Sequence, residues 1–266
     1  MNSNVSVAQT PWLIGMLHCP PLPGSPRFDG DIAAARDRVL SDAELLVSGG
    51  FRSLMLENFG DTPFLPGSVS PVMIAHLTTI AREVRTRYPQ VELGINVLRN
   101  DGCAALAIAH AVGASFIRVN VLCGARVTDQ GLIQGIAHDL LRLRSQLGAT
   151  DIRILADVDV KHSAPLAARP ITEEVSDAIE RGHADGIIVS GPATGSAIDN
   201  SHLEEAVSAA SGVPVLVGSG VDEQSIGGLL STAQGVIVGS SIKVDGQVTA
   251  PVDISRVQQL LAAVQS

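Results

Sequence analysis

Asp157-Val-Asp-Val-Lys-His162 is the densest chemical stretch of the chain, with two carboxylates, an ammonium and an imidazole in six residues. On a strand, Asp157 and Asp159 would project to one face. Two such carboxylates repel, which raises one pKa and equips that group as a general acid or base. Glu57, Lys161 and His162 are the groups that would assist it. The same pair suits a divalent metal, with Glu57 or His162 completing the shell. An ion-paired network with Arg118 and Lys161 is the structural alternative.

A second constellation is Val217-Gly-Ser-Gly220 with Val238-Gly-Ser-Ser-Ile-Lys243. Gly218, Ser219, Gly220, Gly239, Ser240 and Ser241 are small enough to bring backbone N–H groups up to an anion, so they are expected to hold phosphate. Ser190 and Gly191 would supply a third wall, and Lys243 is placed at the substrate. Alternatively, the glycines merely turn the chain.

Asn58, Asn96, Arg99, Asn100, Arg118 and Asn120 offer amides and fork-shaped guanidiniums suited to hydroxyl or carboxylate groups. Asn58 and Asn100 could instead cap turns. His18-Cys19 opens a proline-rich loop, Pro20-Pro-Leu-Pro-Gly-Ser-Pro26, and a similar loop runs from Phe59 to Gly67. His18 is read as a substrate contact and Cys19 as a proton carrier or an unactivated thiol. The two stiff loops would roof a pocket or form an oligomer contact.

The elements that must position these groups are short aliphatic runs at residues 12–18, 52–58, 92–98, 115–121, 153–160, 186–190, 214–218 and 235–239, each followed by an amphipathic pattern. Eight such repeats predict a parallel (β/α)₈ TIM barrel, with a doubly wound open sheet as the competing architecture, covering residues 11–266 behind a flexible tail at 1–10. Aliphatic residues must face the helices. Leu54, Leu56, Leu93, Ile95, Val97, Ile117, Val119, Val121, Ile154, Ala156, Val158 and Val160 therefore point outward. Glu57, Asn96, Arg118, Asn120, Asp157 and Asp159 are left inward at the strand ends, where barrel sites form. Ser70-Pro71 and a Ser201–Glu204 capping box mark helix starts, Thr172, Asp222 and Asp253 mark others, and Gly49, Gly113, Gly148, Gly182 and Gly212 mark ends.

The net charge of −9 argues against nucleic-acid binding. Three cysteines without CxxC spacing read as reduced thiols in a cytoplasmic protein, and no stretch is long and apolar enough for membrane insertion.

Together, Ile14–Pro26, Glu57–Phe64, Gly94–Asp101, Phe116–Asn120, Thr128–Gly131, Ile154–His162, Val217–Gly220 and Val238–Ser241 resemble the BtpA/SgcQ family over nearly the full length. The resemblance implies a TIM barrel of the ribulose-phosphate-binding type. Some cyanobacterial members are linked to photosystem I accumulation, others lie among sugar-metabolism genes, and some are labelled phosphoribosylanthranilate isomerase-like. Asp159 stands where many relatives are expected to carry His. The resulting expectation is an enzyme acting by acid–base chemistry on a phosphorylated sugar or sugar-like molecule, as isomerase, aldolase or lyase. The alternative is a noncatalytic assembly or stability factor. No cofactor is expected beyond a possible divalent metal, flavin is disfavoured, and a homo-oligomer is anticipated.

Overall fold

The computed structural model describes residues 10–160, 162–191 and 199–265. Lys161 and most of the tail at 1–10 lie outside them. In chain order the strands are β1 (Trp12–His18), β2 (Ser53–Glu57), β3 (Glu92–Asn96), β4 (Phe116–Val119), β5 (Ala125–Thr128), β6 (Gly131–Gln134), β7 (Arg153–Val158), β8 (Ser163–Pro165), β9 (Gly186–Val189), β10 (Val215–Val217) and β11 (Gly235–Val238). The helices are α1 (Ile32–Gly49), α2 (Pro71–Arg87), α3 (Gly102–Val112), α4 (Ala137–Gln146), α5 (Ile171–Ser176), α6 (Asn200–Ala209), α7 (Ile226–Leu230) and α8 (Ile254–Gln265). Eight strands close a parallel barrel in the order β1-β2-β3-β4-β7-β9-β10-β11. β5, β6 and β8 form a separate antiparallel sheet that the periodicity did not reveal.

Alternation sorts the strand residues into two packed layers. Leu54, Leu56, Leu93, Ile95, Ile117, Val119, Ile154, Ala156 and Val158 join the layer between barrel and helices. Ile14, Met16, Met55, Phe116, Leu155, Ile188, Leu216 and Ile237 fill the interior. β3 leaves Gly94 at this level because the Phe116 ring lies over it. A Cβ there would stand 2.0 Å from Phe116 Cε2. At the N-terminal end of the barrel, Trp12 Nε1 donates to Ser53 Oγ at 2.8 Å and Ser53 Oγ donates to Glu92 at 2.9 Å. Arg153 pairs with Glu92 at 2.7 Å and lies 4.3 Å over the Trp12 ring.

The helix signals hold in part. Ser70 caps α2, accepting from the Met73 amide at 3.2 Å, and Gly113 closes α3 in the left-handed region at φ 71°. Gly49 does not cap α1. The left-handed residue is Gly50 at φ 119°, while Gly49 admits α8, its hypothetical Cβ lying 2.3 Å from Val257. Asp199 rather than Ser201 caps α6 and accepts from the Ser201 amide. Pro170, not Thr172, precedes α5, which runs on into a π-helical turn (Asp177–Arg181), with Gly182 following at φ −86°.

Candidate functional site

Parity carries Glu57, Asn96, Arg118, Asn120 and Asp157 to the C-terminal mouth of the barrel, all buried. The Arg118 guanidinium donates to both Asp157 oxygens, Nε to Oδ2 at 2.9 Å and Nη2 to Oδ1 at 2.8 Å. Asn120 Nδ2 adds a third hydrogen bond to Oδ2 at 2.7 Å. Asn96 Nδ2 donates to the Arg118 carbonyl at 3.0 Å. Burial opposes the charge on Arg118, but the Asp157 carboxylate outweighs it and holds the guanidinium pKa above its ordinary value. The carboxylate expected to move protons is instead one half of a buried ion pair.

The position two residues on also departs from expectation. β7 ends at Val158, and Asp159 adopts φ 52°, which breaks the alternation. Its half-exposed side chain pairs with Arg126 at 2.9 Å and His202 at 3.5 Å. Asp157 and Asp159 are therefore not brought together as a metal cage. Among the described residues no group of three His, Cys, Asp or Glu is gathered for an ion. His162, also left-handed at φ 56°, borders the mouth.

Four more expected contacts are structural. Asn58 accepts from the Leu98 amide at 2.7 Å and donates to Asp61 at 3.2 Å, stapling β2 to the loop after β3. Asn100 accepts from the Val121 amide at 2.8 Å and donates to the carbonyls of Val121 and Gln134 at 3.0 and 3.2 Å. Lys243 is fully buried, 3.1 Å from Asp42 of α1. Cys19 packs into the outer core layer, and burial pushes its thiol far above the ordinary range.

Apart from Asn96, Ser190 and Gly191, the remaining described residues of the expected site line two adjoining cavities. The smaller, about 150 Å³, lies over β10 and β11 and is walled by His18, Glu57, Gly218, Ser219, Gly220, Gly239, Ser240 and Ser241, among others. Ser219 Oγ accepts from the Gly191 amide at 2.9 Å, and Ser241 Oγ donates to the Val221 carbonyl at 2.6 Å, fixing these turns. Gly218 keeps a gap open. A Cβ there would meet Ser190 Oγ at 2.6 Å and Arg118 Nη2 at 3.5 Å. Among the described residues, buried Ser190 Oγ and Asn96 Oδ1 have no hydrogen-bond partner. Buried hydroxyls and amides left so are costly unless water or a ligand satisfies them.

The larger cavity, about 630 Å³, is bordered by Arg27, Glu57, Phe59, Phe64, Arg99 and Asp129, together with Thr62, Pro63, Leu98, Arg118, Asn120 and His162. Burial lowers the Arg99 pKa, and the nearby Asp157 carboxylate partly offsets this. His18 Nε2 lies 3.8 Å from Glu57 Oε1, and the His18 ring leans on Phe59 at 4.7 Å.

The two proline-rich loops pack against each other, and the second borders the larger cavity through Phe59, Thr62, Pro63 and Phe64. The Gly60 amide donates to the Cys19 carbonyl at 2.9 Å, and the Leu22 amide to Asp61 Oδ1 at 2.7 Å. Gly60 is required there, since a Cβ would sit 2.3 Å from Pro21 N. Sequence reasoning missed Arg27 and Asp129 as lining groups and took Phe59 and Phe64 only as part of a loop expected to roof the pocket. Asp129 reaches the mouth from the β5–β6 turn, whose sheet is anchored by Arg126 to Asp159 and Glu174. No helix among the described residues is long and apolar enough to cross a membrane.

The model of the BtpA family matches residues 9–266. The chain is 48% identical to the photosystem I biogenesis protein BtpA of Synechocystis sp., over 94% of this chain and 87% of that one. It is 45% identical to an uncharacterized protein of Thermococcus kodakarensis, covering 94% and 93%. In structure it is similar to N-(5'-phosphoribosyl)anthranilate isomerase from Pyrococcus furiosus, with a TM-score of 0.60 at 13% identity, covering 96% and 99%. At that identity the likeness is one of fold.

Proposed function

The chain belongs to the BtpA family, and from that premise we propose that it is an enzyme acting by acid–base chemistry on a phosphorylated sugar or sugar-like small molecule. One observation carries this reading. Glu57, with His18 beside it at 3.8 Å, borders both the glycine- and serine-walled corner and the larger cavity. A phosphate in the corner would be held by the turns around Gly218–Gly220 and Gly239–Ser241, the place where barrels commonly bind one. The next carbons would then lie against Glu57 and His18, which exchange a proton with them. Proton work thus passes from Asp157 to Glu57, because Asp157 is engaged by Arg118 and Asn120. Isomerase, aldolase and lyase chemistry all need such a pair.

A second reading follows from the Synechocystis relative, whose name assigns it to photosystem I biogenesis. On that reading the barrel is a binding scaffold for assembly. The buried ring of Glu57, Asn96, Arg118, Asn120 and Asp157 counts against it, since a scaffold has no evident need of that desolvation cost.

The test is Glu57→Gln in purified protein, assayed on the best phosphosugar found by screening. Turnover should fall by about 10²–10⁴ with the fold intact. Unchanged turnover would remove Glu57 from the chemistry. Complementation of a deletion strain by the same variant would favour the scaffold.

A further inference from the structure

The two cavities at the strand ends are lobes of one site, because Glu57, Phe59 and Arg118 border both. The lobes differ in capacity. The corner lobe, about 150 Å³, matches roughly five waters at about 30 Å³ each. That accommodates a phosphate and the few atoms that carry it. The outer lobe, about 630 Å³, is about four times larger.

Their linings differ as well. The corner sets the glycine and serine turns beside Met16, Val221, Ile237 and Val248, with Glu57, Asp222 and Arg118 as its charged groups. The outer lobe has an apolar wall of Phe59, Pro63, Phe64 and Leu98 and a polar rim of Arg27, Arg99 and Asp129. Its charges largely cancel. Arg27 and Arg99 share the lobe with the Glu57 and Asp129 carboxylates, while the charge of Arg118 is taken up by Asp157. Among the described residues a second phosphate would meet no surplus of cations. A neutral ring with polar edges would find an apolar wall for its face and donors and acceptors for its rim.

We propose that the substrate is a conjugate, resting on the phosphosugar reading above. Its phosphorylated end occupies the corner lobe, and an uncharged planar or ring-shaped group occupies the outer lobe against Phe59 and Phe64. The two halves join beside Glu57. A free sugar phosphate would leave the larger lobe as water against two phenylalanines, and its shape would go unused.

Isothermal titration of the full chain decides this with four probes: inorganic phosphate, ribose 5-phosphate, uridine 5′-monophosphate and ribulose 1,5-bisphosphate. The uridine compound adds a neutral planar ring to the same sugar phosphate. It should bind at least tenfold tighter than ribose 5-phosphate, and the bisphosphate should gain nothing comparable. In Phe64→Ala the tenfold preference should collapse toward unity. The wild-type comparison stands even if that variant misfolds. Equal affinities for the uridine compound and ribose 5-phosphate, or a bisphosphate that binds tightest, overturn the conjugate and leave the phosphosugar reading intact. Phosphate binding without either sugar phosphate also overturns the conjugate. If none of the four binds, the phosphosugar reading itself fails, and the conjugate with it.

Discussion

Arg118 and Asp157 face each other across adjacent strands β4 and β7 as a two-pronged ion pair, at 2.9 and 2.8 Å, sealed beneath the mouth of the barrel. Low dielectric makes such a pair costly to form and more costly to break. Its geometry orients the floor of the site, with Arg118 bordering both lobes. Asp157→Ala would leave a guanidinium buried without its counter-charge. We expect a loss of about 3–5 kcal/mol in urea unfolding. A loss under about 1 kcal/mol would mean that the site relaxes to admit water.

Lys243 and Asp42 make the same argument away from the mouth. The ammonium is fully buried, and Asp42 also accepts from the Val252 amide at 2.8 Å, so α1 is tied to the segment after β11. Burial lowers the Lys243 pKa and Asp42 counters it. Lys243→Met alone should destabilise by about 3–5 kcal/mol, and Asp42→Leu combined with it should recover most of that. Denaturation curves of the three variants check both values. Simple additivity would mean that the two groups do not act as a pair.

Gly94→Ala should be among the worst single-methyl additions in the chain. The new Cβ would stand 2.0 Å from the Phe116 ring, which the barrel walls hold on every side. Overpacking of this kind costs about 1–3 kcal/mol or more. Phe116→Leu in the same chain should return part of it, as read by thermal unfolding. No rescue would place the strain in the backbone rather than in the ring.

Asp222 gives the acid side of the stability profile. Burial alone would raise its carboxyl. Hydrogen bonds from the Ser225 hydroxyl at 2.8 Å and from the Ser225 and Gln224 amides outweigh that and hold its pKa below the ordinary value. A group depressed on folding contributes stability above its unfolded pKa and loses it as pH falls through the folded value. The wild type should therefore shed this contribution below the ordinary carboxylate range, and Asp222→Asn should not. The group is only partly buried, so the difference between their profiles should stay under about 1 kcal/mol. Parallel profiles would show that the Asp222 charge is immaterial.

Period-two alternation was enough to read the barrel and most of its inward ring, because every core strand is covered by helices on one side and shares one interior on the other. Glu57, Asn96, Arg118, Asn120 and Asp157 follow from their aliphatic neighbours alone. The rule stops where the strand stops. Asp159 lies one residue past Val158 with φ 52°, and nothing local announces that turn. Lys243 reads as a site cation because it follows a glycine–serine turn, whereas its partner Asp42 is 201 positions away. β5, β6 and β8 are only four, four and three residues long. Their register, such as Thr128 opposite Ser163, joins loops from two different units of the barrel. Asp129 and the outer lobe became visible only with that pairing.

The chain of contacts at the opposite end, from Arg153 through Glu92 and Ser53 to Trp12, has a consequence for redesign. It closes the base of the barrel without borrowing any group from the mouth. Rim loops can therefore be exchanged, lengthened or randomised for new specificities while the base supplies its share of stability unchanged. Libraries built on Thr62–Phe64 and the Asp129 loop, with Gly60 and Asp61 kept, should tolerate more diversity than libraries that touch the floor pair of Arg118 and Asp157, where recognition and folding depend on the same two side chains.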